Sequence, residues 1–126
     1  MRGMSSGPPE GVWRRWVLLG VRLGRLHQGK QRLVAIALKG RRVLSVGYNS
    51  YTKTHPRQRL FAGIVGEPKR EYLHAEIHAL CRADGIPDAM VVVRVNHLGE
   101  PVCAAPCPVC LEAIRSINPN MKIIHT

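Results

Sequence analysis

The stretch "AMVVVRVN" at 89–96 is a nearly unbroken apolar run, and it constrains the fold more than any other part of the chain. A strand of that composition is covered on both faces. In a chain of 126 residues that means helices on either side of one sheet. The length fits one domain and leaves little room for a second. Hydrophobic residues make up 45% of the chain, enough for one core without disulfide support, and aromatics are few. Val, Ile, Leu and Ala must therefore fill that core.

The rest of the chain supplies the partners. Residues 1–11 are rich in Gly, Pro and Ser and read as a flexible tail, so the domain is expected over 12–126. Val12, Trp16, Leu19, Leu23 and Leu26 recur at spacings of three and four and predict one helix face, with Arg14, Arg15, Arg22 and Arg25 opposite and Gly29 suited to the carboxyl cap. "RLVAIALKG" and "RRVLSVGYN", parted by a turn at Gly40, predict a hairpin over 32–38 and 42–48. Residues 49–70 carry two prolines and two glycines and read as a long loop with one helical turn, a length that points to function. A helix over 73–83, the apolar strand, a returning segment "HLGEPVCA", a helix opening at "PCPVC" and a closing strand "MKIIHT" follow. The prediction is an α/β/α three-layer sandwich on a mixed sheet of four to five strands, with "MKIIHT" counted as the fourth.

Charge limits the partners. Nineteen Lys and Arg face eight Asp and Glu, giving a net charge of +11, and Glu10 is the one acidic residue before Phe61. Such a surface attracts polyanions and steers phosphate-bearing ligands, the competing reading being a generic solvated surface. The first apolar run, "WVLLGV", is closed by Arg22 and is too short to span a membrane or to serve as a convincing signal. The arginine-rich start reads as an ordinary helix rather than a transit peptide. The expected compartment is the cytoplasm, where free cysteines serve as metal ligands or core residues.

Chemistry concentrates in "YLHAEIHALC" at 72–81 and "APCPVC" at 105–110. Cys107 and Cys110 form a Cys-x-x-Cys pair at a helix start, where the dipole favours thiolates; alone, the pair could equally be a redox dithiol. His74 and His78 lie four apart, so both together would complete a closed Cys2His2 site. His74 alone would leave three ligands and an open position, as in a catalytic zinc site. Glu76, two residues after His74, then stands where a carboxylate reaches a water on the metal without ligating it. Zinc lowers the pKa of such a water to about 7.

"HAE" followed some thirty residues later by "PCPVC" resembles the zinc-dependent cytidine deaminase superfamily, whose signature is H-x-E then P-C-x-x-C. "SVGYNS" is similar to the deoxycytidylate branch. The resemblance implies one catalytic Zn2+ held by His74, Cys107 and Cys110, with Glu76 passing a proton from water to the ring and the leaving amine. It implies that Ala75 offers its backbone amide to the pyrimidine carbonyl, that Asn49 bonds the sugar or base edge, and that Pro106 adjoins the substrate. His55 could touch a phosphate or base, or order its loop. His78 is expected to be packed or hydrogen-bonded rather than a ligand; Cys81 and Cys103 are expected to be small buried hydrophobes, with Cys103 also open as a substitute ligand.

The substrate is less legible. The basic excess and "KTHPRQR" favour cytosine in single-stranded DNA or RNA, with Tyr48, Tyr51 and Phe61 as stacking candidates. A free nucleotide of the dCMP type comes second, adenine in a tRNA loop third, and a non-catalytic zinc module that binds nucleic acid is the reading from another class. Two features depart from the family: a sheet that is usually five-stranded, and the long segment "RVNHLGEPVCAAPC", which suggests a hairpin extension. Open sheet edges make a homo-oligomer plausible.

Overall fold

The computed structural model describes residues 11–27, 32–50, 52–67 and 72–126. The expected tail therefore lies outside the described residues except for Gly11, and so do Gly29 and Tyr51. A 3-10 turn, Gly11–Trp13, leads into α1 (Arg14–Leu26), β1 (Arg32–Lys39), β2 (Arg42–Tyr48), α2 (Pro56–Val65), α3 (Ala75–Arg82), β3 (Ala89–Val95), β4 (Pro101–Val102), α4 (Pro108–Ile117) and β5 (Lys122–His125). The sheet runs β2-β1-β3-β4, with β5 also on β3; every pairing is antiparallel except β3 with β5. The apolar run is thus the strand the sheet is built around, as its composition requires. "HLGEPVCA" does return along it, and the resulting two-residue β4 makes "MKIIHT" the fifth strand rather than the fourth.

Alternation splits each strand between two cores. Val34, Ile36 and Leu38 of β1 and Val91, Val93 and Val95 of β3 face α1. Ala35, Ala37, Met90 and Val92 face the opposite layer, made of α2, α3 and α4. The three-layer α/β/α sandwich is therefore present, and its two faces differ in kind. On the α1 side bulky β-branched strand residues meet glycines of the helix. A methyl group added at Gly20 would sit 2.5 Å from Val93 Cγ2, and one at Gly24 2.7 Å from Val95 Cγ2. The buried stripe of α1 is centred on Gly20, Val21 and Gly24, while Leu26, expected on that stripe, is 73% exposed. The apolar spacing placed Trp16, Leu19 and Leu23 against this core, with the arginines exposed opposite, and it missed Gly20 and Gly24 because the closest approach runs along residues that have no side chain.

On the other side the strand residues are small, and the helix comes close to the backbone itself. The largest departure from expectation lies there: residues 56–65, taken as loop, form α2. His55 caps it, its Nδ1 accepting from Arg57 N at 3.1 Å, and Pro56 sits in the first turn, where a missing N–H costs nothing. α2 packs on α4, and its inward residues are Gln58 and Ala62.

Candidate metal centre

The helices α3 and α4 both begin at the same place. His74 is the N-cap of α3 and Cys107 the N-cap of α4, with Glu76 and Cys110 in the first turns. Two positive helix ends therefore meet around two sulfurs and a carboxylate, a field that favours their anionic forms.

The position of α3 is set by β2. Gly47 lies so close under the helix that a methyl group there would run into Ala75 O and the backbone N of Ala79. Ser45 Oγ donates to Ala79 O at 2.6 Å, and Tyr48 N–H donates to His78 Nδ1 at 3.0 Å. His78 is thus bonded to the sheet, as expected, and stands apart from the ligand cluster. Its pKa is pulled below the usual histidine value, first by burial and then by Arg82.

His74 is steered from the other side. Its backbone N–H donates to Oε1 of the fully buried Gln58 at 3.1 Å. Its Nδ1 lies 3.3 Å from Cys110 Sγ and 3.5 Å from Cys107 Sγ, and the three donor atoms all fall within 4.8 Å of one another. A tetrahedral zinc with ordinary Zn–S and Zn–N bonds separates such donors by about 3.6 Å. The set of one imidazole and two sulfurs therefore fits zinc in both spacing and chemistry. The thiol of Cys110 bonds to Cys107, which pushes Cys107 down to about 3 and, together with burial, pushes Cys110 up. One of the two sulfurs is thus a thiolate, suited to a cation. All four cysteines are free of disulfides.

Glu76 is 4% exposed, and burial raises its pKa above the ordinary carboxylate value, against the opposing pull of its own backbone N–H and of His74. A carboxyl held this way takes up a proton more readily than an exposed one. It lines a cavity of about 420 Å³ together with His74, Ala75 and Cys107, a size typical of small-molecule sites.

Asn49 reaches the same cavity. Its Oδ1 accepts from Leu33 N at 3.0 Å and stands 2.9 Å from His27 Nε2, so the last residue of the α1 turn touches the cavity wall. His55 and Pro106 are not part of the lining: His55 orders the start of α2, its other expected role. Cys103 is exposed on the cavity wall and Cys81 half-buried 3.8 Å from His55 Nδ1, so neither is the buried hydrophobe expected; Cys103 is not in the ligand cluster. Of the stacking candidates, Tyr48 leans on the His27 ring and Phe61 packs against the core. Tyr72, 47% exposed at the cavity, is the aromatic the sequence reading missed, as it missed Gln58. A tyrosine two residues before the "HAE" motif was a usable signal; a glutamine inside an expected loop was not.

Among the described residues no helix is long and apolar enough to cross a membrane. The family model for the cytidine and deoxycytidylate deaminase zinc-binding region matches residues 15–126. No curated protein matches the chain.

Proposed function

The chain belongs to the cytidine and deoxycytidylate deaminase family, and from that premise we propose that it hydrolyses cytosine to uracil in single-stranded nucleic acid, releasing ammonia. One observation carries the chemistry: a His/Cys/Cys cluster fit for one zinc ion opens, beside a buried carboxylate, onto a cavity of about 420 Å³. His74, Cys107 and Cys110 would hold the ion, which would supply the Lewis acidity that lets a water lose a proton near pH 7. Glu76 accepts that proton and returns it to the ring nitrogen and the departing amine, and its burial keeps it poised between the two roles. Ala75, in the first turn of α3, sets the base against backbone, and its single methyl leaves room for the pyrimidine to approach. Asn49, its Oδ1 engaged by Leu33 and His27, lines the cavity where the sugar or base edge would lie.

The polymer reading draws support from charge. The chain carries +11, and Lys53, Arg57 and Arg59 are exposed on the segment that bridges to Tyr72 at the cavity. The arginines of α1 lie on the far layer, but Arg25 bonds Gly99 O beside β4, and His27 touches Asn49, so that helix ends at the rim of the site. Exposed Tyr72 gives a neighbouring base a surface to stack on. The cavity volume also suits a single nucleotide, which makes the dCMP-type reaction the second reading.

The test incubates zinc-loaded protein with dCMP, cytidine, single-stranded DNA and RNA and follows uracil product by mass. Glu76→Ala should lower turnover by about 10²- to 10⁴-fold while zinc content stays at one per chain. Substrate binding that falls steeply with salt supports the polymer; a shallow dependence supports the mononucleotide. No conversion of any cytosine substrate by zinc-replete protein refutes the deaminase reading.

A further inference from the structure

The residues of β3 that face α3 and α4 are Met90, Val92 and Arg94, and the first two are fully buried in the core. Arg94 continues the same row one step further, in register with Leu33 on β1 and Val102 on β4, where the core gives way to the cavity. It is the one residue of β3 that is not fully buried. Its backbone N–H donates to Thr126 Oγ1 at 3.2 Å, but among the described residues no carboxylate, carbonyl or other acceptor pairs with its guanidinium. It shares the cavity wall with His74 and Glu76 and is, among the described residues, the one Lys or Arg of that lining.

A partly buried arginine whose guanidinium has no partner among the described residues has given up part of its hydration without a matching interaction. An apolar side chain would fit this row better unless an anion completes it. From these observations we infer that Arg94 is the phosphate anchor of the cavity: its planar fork takes the phosphate next to the cytosine that is presented to the metal centre. The inference rests on the deaminase reading above for the identity of the base, but the anchor itself needs only that a phosphate ester enters this cavity. Phosphate geometry suits the bidentate fork, and the site's remaining acid, Glu76, is withdrawn from solvent, so it offers an incoming anion little exposed opposing charge. The phosphate is either the 5′ group of a mononucleotide or an internucleotide link of a strand; both present the same oxygens.

The test compares kcat/KM on deoxycytidine, dCMP and a short single-stranded oligonucleotide containing one cytosine, for the wild-type protein, Arg94→Gln and Arg94→Lys, all zinc-loaded. The wild-type protein should prefer a phosphate-bearing substrate over deoxycytidine. Arg94→Gln should collapse that preference by about 10- to 100-fold, and Arg94→Lys should restore part of it. A collapse seen with dCMP assigns the terminal phosphate, and one seen only with the oligonucleotide assigns the internucleotide link. Equal losses on all three substrates, or no preference in the wild-type protein, overturn the anchor. Calorimetric titration with dUMP and deoxyuridine keeps the two readings separable. Phosphate-dependent binding that Arg94→Gln abolishes sustains the anchor even where no cytosine is converted. Equal affinity for dUMP and deoxyuridine overturns it, and turnover of deoxycytidine would then leave deamination standing alone.

Discussion

Replacing Gly47 by alanine is the sharpest available probe of how the centre is held. The backbone there is ordinary strand rather than left-handed, so only space excludes a side chain. The added methyl would meet Ala75 O and Ala79 N inside contact distance and Ala79 Cα at 2.9 Å, whereas carbons at rest stand about 3.5–4.0 Å apart. The atoms in the way are helix backbone, with no rotamer to yield, so α3 itself must retreat by somewhat under 1 Å. Overpacking of this kind costs about 1–3 kcal/mol, here at the upper end. The retreat also stretches the bonds from Ser45 to Ala79 and from Tyr48 to His78, each worth about 1 kcal/mol, while alanine returns about 0.4–1 kcal/mol through the unfolded chain. The net loss is about 3–4 kcal/mol, or a melting temperature lower by roughly 10–15 °C for a domain of this size. Gly63→Ala is the control, because a methyl there meets nothing within 4 Å and should stabilise α2 by about 0.5–1 kcal/mol. Thermal melts and zinc content by atomic absorption read both. A Gly47→Ala protein that melts within about 2 °C of wild type and binds a full equivalent of zinc would show that α3 does not rest on β2, and the account of the site would fail with it.

Gly20→Ala should cost about 1–3 kcal/mol in denaturant unfolding despite its better helix propensity, and Val93→Ala in the same chain should recover part of that loss by removing the methyl it strikes; simple additivity of the two would refute the contact. Gln58→Met removes the acceptor for the His74 N–H and should weaken zinc binding by about 10- to 100-fold in a chelator competition, with little change in helix content by circular dichroism. His78 has a folded pKa below its ordinary 6.5, through burial first and then Arg82, Lys53 and His55. Its contribution to stability is therefore complete above pH 6.5 and lost as pH falls from there through the lowered value. His78→Asn keeps an acceptor for Tyr48 N–H but no titrating ring, so the difference in unfolding free energy between mutant and wild type should change across that window; a constant difference refutes the assignment.

The features legible in the sequence were those with one physical cause. The β3 run, the hairpin and the four helix-or-strand segments after Tyr72 follow from period and composition, and the metal cluster was legible from "HAE" and "PCPVC" and the family they resemble. What escaped had two causes acting at once. α2 is a helix whose inward face carries Gln58, a polar residue retained to bond His74 N–H, and whose start is a proline, so both its pattern and its opening looked like loop. In α1 the spacing found Trp16, Leu19 and Leu23 on the core side, but glycine contributes nothing to an apolar count, so Gly20 and Gly24, the points of closest approach, went unseen. Asn49 and Ala75 line the cavity, and His55 stands outside that lining, with its Nδ1 capping α2. Arg94 drew no notice inside an apolar run, where its charge read as an interruption.

The donors of the cluster lie 33 and 36 positions apart along the chain. Whatever bridges them closes a ring, and that ring contains all of β3, the strand on which β1, β4 and β5 pair. Loading the ion and seating the middle of the sheet are consequently one thermodynamic event. Removing the metal would open that ring and so loosen the strand on which three of the other four strands pair.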